Sequence, residues 1–208
     1  MNTFDEALKR FKTDGLFIYR NASLDTDNIK ALQKSLRKLD PKKTYQFHLI
    51  DVRLVPKTSR YFVVHGVEKL EKELLAILAP KLAWSSIKIE RVYFQQDSEE
   101  KCYLSECFYA VLFEHLMQYK ALTVLSLDPF SLDITGYTHL FHNFLAKNTS
   151  LKDLYLGITA GQSIYDFIDL RLALSTHRGL KQVNFENAKR DFINWVRFPI
   201  LALSLIHI

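Results

Sequence analysis

Apolar residues recur along this chain in a repeated phrase. Leu122-Thr-Val-Leu125-Ser-Leu127, Leu151-Lys-Asp-Leu154-Tyr-Leu156 and Leu180-Lys-Gln-Val183-Asn-Phe185 carry apolar side chains at the first, fourth and sixth places, and their leading leucines stand 29 residues apart. Alternation over the last three places predicts a short strand with one buried face. After the first phrase, Leu140, Phe141, Phe144 and Leu145 recur at three and four residues, the spacing of one buried helical face, and Asn148 follows where a helix would stop. Ile164, Ile168, Leu170 and Leu174 repeat the idea one register later and end near His177 and Gly179. The unit is a strand, a turn, a helix and a return. Such a period is the mark of a stacked repeat, in which each unit buries its apolar edge against the next.

Towards the N-terminus the phrase thins. Ile89-Glu-Arg-Val92-Tyr-Phe94 fits it 33 residues before Leu122, with a helix expected over 103–119 through Leu104, Phe108, Val111, Leu112 and Leu116. Phe47-His-Leu49 and Leu16-Phe-Ile18 keep only its last two apolar places, and helices are expected after them over 26–39 and 66–78. Residues 51–60 exceed what one repeat needs and read as an inserted loop or extra strand. The expectation is one domain over 1–201 with about six repeats, clear over 86–187 and degenerate over 1–85. Beyond it, Pro199 sits in a run that is apolar on all sides. That end either folds onto the last repeat or, the reading we favour, is a non-native or truncated tail over 202–208.

The phrases and the segment Gly136…Leu140…Leu145…Asn148-Thr-Ser-Leu151 resemble the leucine-rich repeat, and a 29-residue unit with a full helix is similar to its ribonuclease-inhibitor-like type. The resemblance implies an α/β solenoid with short parallel strands on a concave face and helices on the convex face. That family carries Asn or Cys three residues after the last strand apolar position. Here Asp97, Phe130, Thr159 and Ala188 stand there, and only Asn21 agrees, so irregular turns are expected. An ordinary α/β domain is the alternative, but it would need a glycine-rich turn or clustered polar groups at strand ends.

Composition narrows the picture further. Six glycines and five prolines leave little flexible linker, and 48% hydrophobic residues are too many for disorder. Cys102 and Cys107 lack CxxC spacing and are expected to pack as small hydrophobes in a reducing compartment. No apolar run reaches the ~18 residues that cross a bilayer, and the N-terminal residues do not form a secretory signal. The expected location is cytoplasmic, or a host cytosol reached without a cleaved signal. Of the net charge of +5, residues 1–43 supply +4. Lys30, Lys34, Arg37 and Lys38 fall at helical spacing beside Ile29, Leu32, Leu36 and Leu39, the pattern of a solvated helix face.

No set of residues spells catalysis. Gly157 and Gly161 lack the Lys and Ser of a phosphate loop, and His139 and His142 have no third metal ligand at i+4. We therefore expect no catalytic residues, no metal and no cofactor. In an LxxLxL strand the intervening side chains face away from the core. One such column is His48, Tyr93, Ser126, Tyr155 and Asn184. A second is Arg91, Val124, Asp153 and Gln182, and a third is Gln95, Asp128, Gly157 and Glu186. Tyr and Arg carry much interface energy. The expected partner-binding set is accordingly Tyr93, Tyr155, Arg91, Asp128, Asn184, Glu186, Ser126 and Asp153 on the concave face. The expected function is a non-enzymatic scaffold for a protein partner. The alternatives are nucleic-acid or anionic-surface binding through the basic N-terminal helix, and regulation of a small GTPase, the last by fold analogy alone.

Overall fold

The computed structural model of the chain describes residues 3–56, 63–79, 81–95, 101–130, 138–158, 174–175 and 177–186. Along it run α1 (Phe4–Asp14), β1 (Leu16–Asp25), α2 (Thr26–Leu36), β2 (Thr44–Val55), α3 (Val63–Ile77), β3 (Ala83–Glu90), β4 (Tyr93–Gln95), β5 (Lys101–Tyr103), α4 (Glu106–Leu116), β6 (Val124–Phe130), α5 (Thr138–Lys147), β7 (Asp153–Ile158) and β8 (Gln182–Glu186). The strands form one sheet in which β1, β2, β3, β6, β7 and β8 are successive parallel neighbours. The short β4 adds to the second half of β2 and turns back antiparallel into β5. Among the described residues the protein is a mixed α/β fold with a mostly parallel sheet and five helices.

Local chemistry sets the element ends. Thr3 and Glu6 form a reciprocal capping box that starts α1, and Gly15 ends it in the left-handed conformation (φ 72°) that glycine reaches without strain. Asp25 caps α2 through the Asn28 amide at 2.8 Å. Ser105 caps α4 through the Phe108 amide, while the buried Glu71 carboxylate accepts from both the Ser105 amide and its hydroxyl at 2.6 Å.

The sheet is apolar on one face, and that face lies against the helices. Phe17, Phe47, Ile87, Leu125, Leu154 and Val183 stand side by side across six strands, and all are buried. Tyr19, Leu49, Ile89, Leu127 and Leu156 form the next buried row. Each such side chain contributes about 1.5–3 kcal/mol by leaving water. The three phrases at 122–127, 151–156 and 180–185 thus lie as adjacent strands in register.

Three expectations shift. In β1 the inward pair is Phe17 and Tyr19, not Leu16 and Ile18. The cause is an aromatic cluster at this end, where Phe17 stacks on Phe47 and meets Phe4 and Phe11 edge-on. The third rung is β3, reading Trp84-x-x-Ile87-x-Ile89, and not Ile89 to Phe94. Arg91 (φ 50°) bends the chain after β3, so buried Val92 and Phe94 belong to the β4 branch. Measured along the first buried row, the steps between rungs are 30, 40, 38, 29 and 29 residues. The long steps hold the β2 extension through Val55, an extra stretch of strand, and the β4–β5 branch. The helix expected over 26–39 ends at Leu36, where i to i+3 bonds from Lys38 and Leu39 tighten the turn. The helix around Ile164 to Leu170, and residues 192–208 with the tail at 202–208, lie outside the described residues; Leu174 is buried.

Irregular turns are expected because polar side chains are missing beyond most of the strand ends. A ladder exists on the opposite side, three residues before each leading leucine. Asn148 Nδ2 donates to the Tyr119 carbonyl at 3.0 Å, and its Oδ1 accepts from the Leu151 amide at 3.1 Å and the Ser150 hydroxyl at 2.9 Å. One unit on, His177 Nδ1 accepts from the Gly179 and Leu180 amides, both at 3.1 Å, and its Nε2 lies 2.6 Å from the Asn148 carbonyl. Because Nδ1 accepts, the proton sits on Nε2, which donates to that carbonyl. One unit earlier, buried Tyr119 donates its hydroxyl to the Leu78 carbonyl. Tyr119, Asn148 and His177 therefore each tie one return to the one before it.

Candidate partner-binding face

Opposite the helices the sheet presents its polar side chains. The first column across it is Leu16, Gln46, Ser86, Val124, Asp153 and Gln182. The second is Ile18, His48, Lys88, Ser126, Tyr155 and Asn184. In the third, Arg20, Ile50, Glu90 and Asp128 continue towards Gly157 and Glu186. The placement follows from strand alternation, since a side chain between two buried ones must point the other way.

At the centre Lys88 lies over the Tyr155 ring, its ammonium 5.6 Å from the centroid. This cation–π contact spans Ser126, which is buried beneath it and donates to Glu90 Oε1 at 2.6 Å. His48 Nε2 sits 2.8 Å from the Ser86 hydroxyl. Burial, then the charges of Lys88 and Arg20, push the His48 pKa down to about 4. The neutral imidazole is therefore the folded form, and its contribution is full above the ordinary value of 6.5 and lost as pH falls towards 4. We expect His48→Asn to flatten the stability profile between those limits, as read by urea midpoints at several pH values; an unchanged acid limb would contradict this.

At the strand ends a second cluster forms. Asn21, Asp51 and Arg91 share one row and all have φ near 50° (50°, 52° and 50°). Asn and Asp tolerate this conformation, whereas for Arg it is strained. A two-pronged ion pair holds Arg91 there, with Nε to Asp51 Oδ1 at 2.6 Å and Nη2 to Asp51 Oδ2 at 2.8 Å. Nη1 reaches Asp128 Oδ2 only at 3.4 Å. The bond to Asp51 raises the Arg91 pKa. Asp128 is also shifted upward, because burial outweighs its weaker pairing with Arg91. Its carboxylate lies over Gly157, where any Cβ would collide with it.

Against this geometry the expected residues separate. Ser126, Tyr155, Asn184, Asp153 and Asp128 do share the open face. Glu186 aligns with Gly157 by its backbone, and its side chain lies outside the described residues. Tyr93 is displaced: it sits on β4, opposite Tyr103 of β5 and beside Arg53 of β2. Arg91 does not head the row of Val124 and Asp153, where Ser86 stands, but lies at the strand-end corner. Both corrections follow from the slipped third rung, whose true occupants are Ser86, Lys88 and Glu90. The signal for them was present in the polar residues alternating with Ile87 and Ile89.

Elsewhere, His139 is exposed and His142 half-buried on α5, and no group of three or more potential metal ligands exists among the described residues. The cysteines differ from expectation in part. Both line an apolar cavity of about 550 Å³ between α3, β5 and α4, but Cys107 in the first turn of α4 is exposed, and only Cys102 is half-buried.

No protein-family model matches the chain, and no curated protein matches it in sequence. Among solved structures, the tropomodulin C-terminal domain of Caenorhabditis elegans is similar over 86% of this chain and 97% of its own length, with a TM-score of 0.52 and 12% identity. The shared fold is leucine-rich-repeat-like. At that identity the likeness is one of fold alone. No helix among the described residues is long and apolar enough to cross a membrane.

Proposed function

We propose that this chain is a non-enzymatic interaction module, a leucine-rich-repeat solenoid of the ribonuclease-inhibitor-like type, that holds a protein partner on its concave sheet. The observation that carries this reading is the open polar face centred on Lys88 and Tyr155. It offers an aromatic ring, a cation and flanking carboxylates on paired strands, with Lys88 and Tyr155 both half-buried. A preformed aromatic and cationic centre costs little ordering on binding and is the kind of group that dominates interfaces. The 29-residue steps between β6, β7 and β8 support the repeat type.

The test is affinity capture followed by Kd measurement on the captured partner. Tyr155→Ala with Lys88→Ala should weaken binding at least ~30-fold, the loss that follows a removed hot spot of about 2 kcal/mol. A control variant on exposed helix positions, Lys69→Ala with Glu114→Ala, should bind as the parent does. Equal binding by both variants, with circular dichroism unchanged, would remove the open face from the proposal.

A further inference from the structure

The described helices end, and β1, β2, β3, β6, β7 and β8 begin, along one edge of the sheet. The first return on it, after α1, carries Lys12 and Asp14, and the later ones are basic. Between α2 and β2 the return carries Arg37, Lys38, Lys42 and Lys43, against Asp40 alone. Asp40 is occupied locally, its carboxylate accepting from the Lys42 amide at 2.9 Å. The next returns carry Lys81, then Lys120, then Lys152, then Arg178 and Lys181, and no carboxylate. Lys43, Lys81, Lys120, Lys152 and Lys181 are all exposed, and none is ion-paired with a described residue.

Backbone bonds place these returns in a row. Thr123 donates to the Ser85 carbonyl, Lys152 to Thr123 and Lys181 to Lys152, at 2.9, 2.8 and 2.8 Å. With neighbouring strands ~4.8 Å apart, the returns that carry the five lysines span about 19 Å; Lys152 and Lys181 stand level with Thr123, three residues beyond Lys120. A cation beside a helix C-terminus is favourable in itself, and this accounts for part of the bias. It does not account for Lys152 and Lys181, which follow the leading leucine of their phrases and adjoin the strand starts.

We infer that this lysine edge binds the phosphodiester backbone of double-stranded nucleic acid without reading its sequence. A row of basic returns matches a linear polyanion, which presents about one charge per 1.7 Å of duplex axis. The exposed large hydrophobic residues among those described are Val55, Tyr103 and Val111, and none lies in these returns. The edge therefore lacks the apolar wedge of a membrane-seated surface and the aromatic platforms of a single-strand binder. A chain of pI about 9.1 with nine of its 28 Lys and Arg in these returns presents a basic stripe of the kind such binding needs. This surface differs from the open face, so the two proposals stand or fall separately.

The deciding experiment uses the whole chain and a labelled mixed-sequence 20-base-pair duplex, read by fluorescence anisotropy between ~50 and ~200 mM salt. One variant combines Lys81→Gln, Lys120→Gln, Lys152→Gln and Lys181→Gln. A charge-matched variant combines Lys9→Gln, Lys30→Gln, Lys34→Gln and Lys69→Gln, all on exposed helix faces. We expect the parent to bind with steep salt dependence. The edge variant should lose at least ~10-fold in affinity at ~50 mM salt, and its log–log salt slope should fall by up to about 3.6, near 0.9 for each of four lost phosphate contacts. The helix variant should stay within ~3-fold of the parent, with a slope within about 1 of it. Absence of parent binding at ~50 mM salt overturns the inference. So does an equal loss in both variants, which would mean that net charge alone acts. Tighter retention on phosphatidylserine-containing vesicles than on duplex would assign the edge to a lipid surface and equally end the nucleic-acid reading.

Discussion

Replacing Trp84 with alanine should destabilise the protein by about 3–5 kcal/mol, the cost of removing a large aromatic side chain from a filled core. Trp84 is fully buried at the start of β3. It stacks on Phe11 of α1 with ring centroids 6.2 Å apart and meets Tyr45 and Phe47 edge-on at 6.3 and 5.9 Å. One residue thus joins the N-terminal helix to the second and third rungs, so a cavity there loosens three elements at once. Its indole Nε1 is buried without a hydrogen-bond partner. Trp84→Phe should for that reason cost much less, under about 1.5 kcal/mol, because it keeps the stacking and deletes an unsatisfied donor. Denaturant midpoints followed by far-ultraviolet circular dichroism measure both. A Trp84→Ala variant within 1 kcal/mol of the parent would show that the third rung is not seated on this residue.

The same residue explains where the sequence could be followed and where it could not. At Leu122, Leu151 and Leu180 the leading apolar place is filled by the same residue type, and both the spacing and the resulting strand register were readable. At β3 that place is taken by Trp84, and the next apolar run, Ile89 to Phe94, spells a false copy of the phrase. Pattern alone could not reject the copy. What rejects it is the left-handed turn at Arg91, held by an ion pair to Asp51 forty residues earlier. At β1 the slip was one residue, from Ile18 to Tyr19, and a one-residue slip exchanges the faces of a strand. Leu16 and Ile18 are as apolar as Phe17 and Tyr19; the choice is made by the rings of Phe4, Phe11 and Phe47, which lie apart in sequence.

The face inherited these slips. Ser126, Tyr155, Asn184, Asp153 and Asp128 lie on strands whose phrase was intact, and they fall where alternation puts them. Tyr93 and Arg91 hang from the false copy, and Lys88, the partner of Tyr155, stood hidden inside the true one. The lysine edge was blurred for a different reason. Its residues are scattered singly along the chain, and only parallel stacking draws them onto one edge, whereas the basic run at residues 30–43 was visible because it is contiguous.

The ladder of the returns supplies the second large effect. Asn148→Ala should cost about 3 kcal/mol, since it leaves a buried carbonyl and a buried amide without partners at 1–3 kcal/mol each. Asn148 is nearly inaccessible, and its side chain bonds the Tyr119 carbonyl on one side and the Leu151 amide on the other. Asp in its place keeps the acceptor for Leu151 and Ser150 but faces the Tyr119 carbonyl with a second oxygen, so Asn148→Asp should recover little. His177 does the same work one unit later, and its Nε2 bonds the backbone carbonyl of Asn148 itself. The two rungs share that residue, and their effects should not add. In a double-mutant cycle with His177→Ala, we expect a coupling of at least about 0.5 kcal/mol, the range found for groups in one hydrogen-bond network. Strict additivity in urea denaturation would mean that the returns are held one by one and not as a ladder. Coupling would mean that stability passes from unit to unit along the side of the sheet that also carries the lysines. The basic edge would then be a rigid one, its returns held in a row before any partner arrives.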